Sequence, residues 1–190
     1  ALPAFPHREL APRSGEWDRV GVFPADAWRA MGALGLLGLR VPAALGGQET
    51  DLLTVGLGME EIGRGDLSCT YGIQLSVLAA EILGAHGDRG LSEQWLPPMT
   101  RGEAVIALAL TGPSAGSDAG HLACRAEPDG EGWGVTGVKS RLSLGMAAHA
   151  AIVFARTGEG GARGISAFLV PLHLPAVARR PLTDKGFRAN

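Results

Sequence analysis

The stretch AVIALALTGPSAGSD, residues 104–118, lies where the pattern of the sequence changes. Its first seven residues are apolar, which is typical of a strand buried on both faces. The next eight include no large side chain, and two of them are glycines whose backbone a ligand can approach closely. Successive N–H groups in such a loop can bind an anion, and Thr and Ser add hydroxyl groups. From the residues alone, the alternative is a tight turn in which the Asp118 side chain makes a local hydrogen bond.

The loop does not match the established phosphate-binding or nucleophile motifs. The sequence has neither GxxxxGK[ST] nor a GxGxxG between a strand and a helix. Ala115 stands where a GxSxG elbow would have its first glycine. The loop therefore favours ligand contact through backbone and hydroxyl groups, but its composition does not identify the ligand.

The residues before this stretch follow the helical period. Leu52, Val55, Met59 and Ile62 recur at spacings of three, four and three, so we predict that they form one face of a helix, with Asp51 as its N-cap. Three further helices are predicted. The first has Ala27, Met31 and Leu34 on one side. The second crosses residues 73–87 with Leu75, Leu78 and Ile82 on one side, and the third is short and ends at Pro97 and Pro98.

After residue 103 the apolar runs become short and are bounded by Gly, Pro and Asp, which is typical of strands. The predicted strands lie within 104–110, 121–128, 132–140, 150–157 and 165–171, and PDGEG at 128–132 is a predicted hairpin turn. The runs VIALAL at 105–110 and AIVFA at 151–155 are continuously apolar, which predicts strands buried on both faces. We therefore predict an α+β fold. An all-α domain covers residues 1–102, and an incomplete antiparallel β domain covers residues 103–190.

Composition argues against several classes of protein. The chain has 190 residues, 46% of them hydrophobic and 19% charged, as in globular proteins. Its formal net charge of −2 argues against a nucleic-acid partner. We expect no membrane span and no secretory signal, because neither pattern is present. The cysteines are far apart, which favours a reducing cytoplasm without disulfides. His121 and Cys124 have a ligand-like spacing, but two ligands without a second pair rarely form a metal site, so no metal is predicted.

The stretch LALTGPSAGSD resembles the flavin loop of the acyl-CoA dehydrogenases, usually written TEPxAGSD. Further segments resemble the same family in the same order: MGALGLLGLRVPAALGGQETDLLT at 31–54, MEEIGRGD at 59–66, EQWLPPMTRGE at 93–103, GWGVTGVKSRLSLG at 132–145, VFARTGEGGARGISAFLVP at 153–171 and DKGFRAN at 184–190. The likeness extends from about residue 23 to residue 190. Several motifs in one order make the resemblance far more specific than any single motif.

The resemblance implies an FAD-dependent oxidoreductase that removes two hydrogens from the α and β carbons of an acyl thioester, either acyl-CoA or an acyl-carrier-protein. Hydride would leave the β carbon for the flavin while a carboxylate takes the α proton. The electrons would pass to an electron-transfer flavoprotein or to oxygen. Membership would also imply a homotetramer or a homodimer.

The resemblance also implies which residues bind. The family positions that hold the flavin correspond to Leu110, Thr111, Gly116, Ser117, Arg141, Leu142 and Ser143. Ser117 would lie between the flavin and the thioester, and a strand containing residues 141–143 would cover the isoalloxazine ring. Leu75 and Leu78 correspond to the helix that borders the acyl pocket, so they are predicted to contact the substrate together with Ser117.

The chain departs from the family pattern in three respects. Gly112 replaces the Glu of TEP, Arg141 replaces a Trp, and Leu144 replaces an Asn. Arg141 can stack on a flavin or meet its negative charge, or be an exposed strand residue. No residue up to Asn190 matches the catalytic carboxylate, which lies in the family's C-terminal helical domain, so no catalytic residue is predicted here. Two alternatives stay open: a flavin-free relative that binds an acyl thioester or carrier protein, and a non-catalytic subunit of a split complex.

Overall fold

The computed structural model describes residues 4–182, so the predicted segment DKGFRAN at 184–190 lies outside the described residues. The helices are α1 (Ala11–Val20), α2 (Ala25–Ala33), α3 (Leu52–Gly63), α4 (Leu67–His86) and α5 (Arg89–Thr100). The strands are β1 (Ile106–Ala109), β2 (Arg125–Asp129), β3 (Gly132–Thr136), β4 (Ala150–Arg156) and β5 (Ile165–Pro171). These helices all precede these strands along the chain, which confirms the predicted α+β class.

Aspartate side chains cap the N-termini of the three longest of these helices. Asp51 Oδ1 accepts from the N–H of Thr54 at 2.7 Å, which confirms the predicted cap of α3. Asp66 Oδ1 and Asp88 Oδ1 accept in the same way at the starts of α4 and α5. Each carboxylate satisfies a helical N–H group that has no partner within its own helix, and its negative charge faces the positive end of the helix dipole.

The buried face of α3 differs from the predicted one at its first residue. Val55 and Ile62 are buried and Met59 is half-buried, as predicted, but Leu52 is 67% exposed. The buried stripe instead includes Gly58, which contacts the helical core without a side chain. Leu52 lies in the first turn of α3, an end that the described part of the chain does not cover.

Helix α4 is the central helix of the α-helical part, and it begins six residues earlier than the predicted span. Of the three side chains predicted to share a buried side, Leu75 is buried, whereas Leu78 and Ile82 are half-buried. By length and mean hydropathy α4 could cross a membrane, but 56% of its most apolar window is buried inside the protein. A helix at the centre of a folded core has the same properties, so this observation is weak support for a membrane span.

The prediction that α5 ends at its two prolines is wrong, because the helix continues through Pro97 and Pro98 to Thr100. The fixed φ of proline is compatible with helical geometry, and the cost lies in the missing N–H group and in the ring. The carbonyl groups of both prolines still accept hydrogen bonds, from Arg101 and from Glu103 and Ala104 respectively. These bonds close the last turn and lead the chain into β1.

The sheet is mixed, which corrects the prediction of a purely antiparallel domain. β4 is its central strand and pairs with β1 and β2 in parallel and with β5 in the antiparallel direction. The chain between β1 and β4 includes the 108–118 loop and a complete hairpin, so β4 enters the sheet in the same direction as β1. The hairpin is the predicted one: β2 and β3 pair from Arg125↔Thr136 to Asp129↔Gly132.

One close contact packs α2 on the turn after α5, and another joins the helices to the sheet. Gly32 of α2 lies directly on the backbone at Arg101, where a Cβ atom would approach the carbonyl carbon to 2.5 Å. Ile152 of β4 belongs to an apolar cluster with Leu83, Leu96 and Met99 of α4 and α5. As predicted for a strand buried on both faces, β4 is buried along nearly its whole length.

Candidate functional site

The loop at 108–118 follows β1 and is held against the segment that follows β3. The side chain of Lys139 donates to the carbonyl oxygen of Leu110 at 2.9 Å, and the N–H of Ser140 donates to the carbonyl of Thr111 at 3.0 Å. Within the loop, the N–H of Gly112 donates to the carbonyl of Ala115 at 2.9 Å. The fold therefore brings together the two segments that the resemblance singled out, although they are separated by a hairpin in the sequence.

The tip of the loop presents unused donors to solvent. Gly116 and Ser117 are exposed, and their N–H groups donate to no acceptor within residues 4–182. A Cβ atom added to Gly116 would meet open space. The hydroxyl group of Ser117 is exposed beside them, and Thr111 is half-buried at the base of the loop. Adjacent N–H groups and a hydroxyl group in this arrangement suit a ligand that carries hydrogen-bond acceptors or negative charge.

The structure also contains the local side-chain contact that a simple turn would have. Asp118 Oδ2 lies 2.7 Å from His121 Nδ1, and both side chains are exposed. This is the local side-chain bond that the turn interpretation predicts. Cys124 is buried, and the described residues contain no group of three or more His, Cys, Asp or Glu that could hold a metal ion.

Residues 141–143 do not form the strand that the resemblance implies. Arg141 has φ +56° and Leu144 has φ +59°, and both values lie in the left-handed region that interrupts extended backbone. Arg141 is exposed, Leu142 and Ser143 are half-buried, and Leu144 is buried. The segment is therefore a short irregular stretch bounded by two left-handed residues, and it lies directly after the contacts of Lys139 and Ser140 with the loop.

The predicted acyl-pocket residues have different surroundings. Leu75 is buried in the apolar cluster that also contains Leu144, and Leu110 and Leu142 pack against that cluster. Leu78 is half-buried on α4 and is not among the members of this cluster. Leu75 thus belongs to the same apolar cluster as Leu144, whereas Leu78 does not.

Sequence reasoning missed Lys139. Its ammonium group is one of the two links between the segments, and burial lowers its pKa from the ordinary value of 10.5. Below that lowered pKa the side chain is a charged donor to the Leu110 carbonyl, and such bonds are stronger than neutral ones. The available signal was its place in GVKSRLSLG, where a lysine lies at the end of a predicted strand, just before the flavin segment.

The two cysteines, Cys69 and Cys124, are buried and free. Burial raises the pKa of both thiols, and for Cys69 the charge of Asp66 adds to the effect. Since the thiolate is the reactive form, a raised pKa and a buried sulfur both slow alkylation. We expect both thiols of the folded protein to react at pH 8 at least about 100-fold more slowly with a disulfide reagent than free cysteine does. Reaction of either thiol at the free-cysteine rate, with the rate in denaturant as the control, would contradict this.

Comparison with known proteins assigns the fold and the loop to one family. Residues 1–103 match the family described as "Acyl-CoA dehydrogenase, N-terminal domain", and residues 107–190 match "Acyl-CoA dehydrogenase, middle domain". The chain therefore belongs to the acyl-CoA dehydrogenase family, whose members are flavoprotein oxidoreductases. The resemblance predicted from the motifs is confirmed.

The relatives include enzymes that act on different thioesters. The bovine mitochondrial short-chain specific acyl-CoA dehydrogenase is 38% identical over 98% of this chain and 46% of its own length. A structure of glutaryl-coenzyme A dehydrogenase with glutaryl-CoA has a TM-score of 0.94 and 29% identity, over 99% of this chain and 49% of that one. A prolyl acyl carrier protein oxidase has a TM-score of 0.88 and 28% identity, over 99% and 51% respectively. The chain thus spans about half the length of the relatives it matches.

Proposed function

We propose that the protein is an FAD-dependent dehydrogenase of an acyl thioester and that this chain supplies part of the flavin and substrate site. The observation that carries the proposal is the pair of unused N–H donors at Gly116 and Ser117, held beside residues 141–143 by Lys139. The family membership supplies the class of chemistry. The catalytic base is not among the residues of this chain that match the family.

The residues present fit a flavin. The loop has small side chains and open space at Gly116, so a flat ring system or a phosphate group can approach the backbone. Thr111, Ser117 and Ser143 contribute hydroxyl groups that can donate to ring nitrogens or carbonyl oxygens. Gly112, in place of the family's Glu, still donates its N–H to Ala115, so the loop keeps a closed turn.

When bound, FAD would supply the two-electron acceptor for the dehydrogenation. The chain's own residues would bind and align. The N–H groups of Gly116 and Ser117 would donate to acceptor atoms of the bound groups, and Arg141 would place a permanent positive charge at the edge of the site. Leu75 and the apolar cluster around it would close the inner side and keep water away from the reacting carbons.

The substrate class within this proposal is an acyl thioester of coenzyme A or of an acyl carrier protein. Both kinds occur among the structural neighbours, as the glutaryl-CoA complex and the prolyl acyl carrier protein oxidase show for those proteins. An electron-transfer flavoprotein or oxygen would accept the electrons, and the protein would assemble as a homotetramer or homodimer. Leu78, which lies outside the cluster around Leu75, carries less of the proposed acyl contact than Leu75.

The visible absorption spectrum of the whole purified protein, before and after addition of FAD, tests the proposal. A bound-flavin band that bleaches when an acyl thioester is added under anaerobic conditions is the expected result. Absence of the band before and after titration would overturn the proposal. It would instead favour the flavin-free acyl-thioester binder, because Arg141 replaces the family's Trp and has a left-handed backbone conformation.

Ser117→Ala is expected to weaken binding of FAD or of the thioester by about 1 kcal/mol, roughly fivefold, because one hydrogen bond is lost. Equilibrium titration of the wild type and the variant with each ligand measures the change. Ser114→Ala is the matched control, since Ser114 is exposed in the same loop and has no predicted contact. Equal affinities for both ligands in all three proteins would show that the hydroxyl group of Ser117 does not bind either ligand.

A further inference from the structure

Arg179 closes a turn that lies more than thirty residues before it in the sequence. Its Nη1 atom donates to the carbonyl oxygens of Gly145 at 3.2 Å, Met146 at 3.0 Å and Ala148 at 3.0 Å. One guanidinium nitrogen has two hydrogens, so at least one of them is shared between two carbonyl groups. Three carbonyl groups that converge on one cation define the shape of residues 145–148, which we call the clamped turn.

The clamped turn is bonded in turn to the segment proposed to face the flavin. The N–H of Gly145 donates to the carbonyl of Leu142 at 3.3 Å. The N–H groups of Ala147 and Ala148 donate to the carbonyl of Leu144 at 3.0 and 2.9 Å. The turn's carbonyl groups therefore accept from Arg179 while its N–H groups hold the backbone of residues 142–144. Two successive hydrogen-bond steps connect the guanidinium to the proposed flavin segment.

That segment has an unfavourable backbone conformation. Arg141 and Leu144 both have positive φ, and a left-handed residue other than glycine costs about 1 kcal/mol or more. Such conformations persist only where the surroundings hold them. Residue 144 is an Asn in the family pattern, and Asn tolerates this conformation better than Leu does. Leu144 therefore needs support from its surroundings to keep this conformation.

Side-chain packing and the clamped turn provide that support. The side chain of Leu144 is 2% exposed and lines a small cavity with Phe23, Trp28 and Gly72. Arg179 lines a separate, open cavity of about 420 Å³ with Trp95 and other residues of α5 and the clamped turn. Arg179 itself is exposed, so its guanidinium stays hydrated while one nitrogen donates, and its removal leaves the core intact.

We infer that Arg179 is a positioning residue that supports the backbone of residues 141–144, with its left-handed residues Arg141 and Leu144, and thereby fixes the segment beside the 108–118 loop. The consequence for flavin binding rests on the proposed function. The effect on the backbone does not rest on the proposed function, because it follows from hydrogen bonds within this chain. Arg179 does not touch the reacting groups; it acts through the clamped turn.

Amide hydrogen exchange of the whole protein, without added flavin, tests the effect on the backbone. With Arg179→Ala we expect exchange of the bonded N–H groups of Gly145, Ala147 and Ala148 to rise about tenfold, since removing a charge-assisted donor shared by three carbonyl groups loosens the turn. Arg179→Lys keeps a cationic donor and should recover part of the protection. Arg180→Ala is the matched control, because Arg180 is exposed and bonds to no other described residue. Unchanged exchange in Arg179→Ala, at a Tm within about 2 °C of the wild type, would overturn the inference.

FAD titration of the same four proteins tests the consequence. We expect Arg179→Ala to bind FAD about fivefold to tenfold more weakly and Arg180→Ala to bind as the wild type does. Faster exchange with unchanged FAD affinity would overturn the role of Arg179 toward the flavin. If the wild type itself binds no FAD, the proposed function fails and the flavin role fails with it, whereas the exchange result still decides whether Arg179 holds the turn.

Discussion

Replacing Gly32 with alanine is expected to lower the free energy of unfolding by about 3 kcal/mol, because the new methyl group has no space. A Cβ atom at this position would lie 2.5 Å from the carbonyl carbon of Arg101, 2.6 Å from its oxygen and 2.7 Å from the nitrogen of Gly102. These are backbone atoms, so they cannot rotate away as the end of a side chain could. Gly102 has φ +70° and packs on the carbonyl of Trp28, so the contact is tight from both sides. Urea denaturation of the whole protein measures the change.

Gly56→Ala is the matched control for that experiment. Gly56 also lies inside a helix, α3, but a Cβ atom there meets nothing within 4 Å. Alanine is the better helix former, so this variant should gain about 0.5 to 1 kcal/mol. The same Gly-to-Ala substitution is thus expected to lower the free energy of unfolding at Gly32 and to raise it at Gly56. Equal stabilisation by both variants would show that α2 does not pack on the backbone at Arg101 as closely as the structure indicates.

Ile152→Ala is expected to lower the free energy of unfolding by about 3 to 4 kcal/mol, because it leaves a cavity in the contact between sheet and helices. Ile152 is 2% exposed, lies opposite Leu108 of β1 and Leu169 of β5, and contacts the cluster of α4 and α5. The surroundings are backbone-paired strands and packed helices, which cannot collapse far into the space. Thermal and urea denaturation of the whole protein should give the same decrease in the free energy of unfolding.

Ile152→Val gives the graded comparison, since it removes one methylene group and should cost only about 1 kcal/mol. Val20→Ala is the surface control, because Val20 is 53% exposed and its substitution should change the stability by less than about 0.5 kcal/mol. A loss for Ile152→Ala no larger than that for Val20→Ala would contradict the central position of β4 in the core.

Sequence patterns correctly predicted the elements that are determined by residues close together in the sequence. Asp51 caps α3 because a carboxylate three residues before a free N–H group is enough to form that bond. The β2–β3 hairpin was predicted because glycine in a short polar turn favours it, and Gly130 indeed has φ +60°. The two buried strands were predicted because continuous apolar runs have no polar face to expose.

The predictions that were wrong concern features that depend on contacts outside the short sequence pattern. The prolines of α5 permit the helix to continue because the following residues bond to their carbonyl groups. The parallel pairing of β1 with β4 depends on the path of some forty intervening residues, which no short window contains. The exposure of Leu52 depends on which elements cover the start of α3.

The same distinction applies to the candidate site. The order of its motifs along the chain determined the family and the residues of the loop and predicted a flavin, since small residues and hydroxyl groups in a fixed order are a property of the sequence itself. Only the tertiary structure showed that Lys139 bonds to the loop, that residues 141–143 are irregular rather than a strand, and that Arg179 bonds to the turn after them. These facts depend on contacts between residues about thirty positions apart, and contacts of that kind form only when the sheet has brought the segments together.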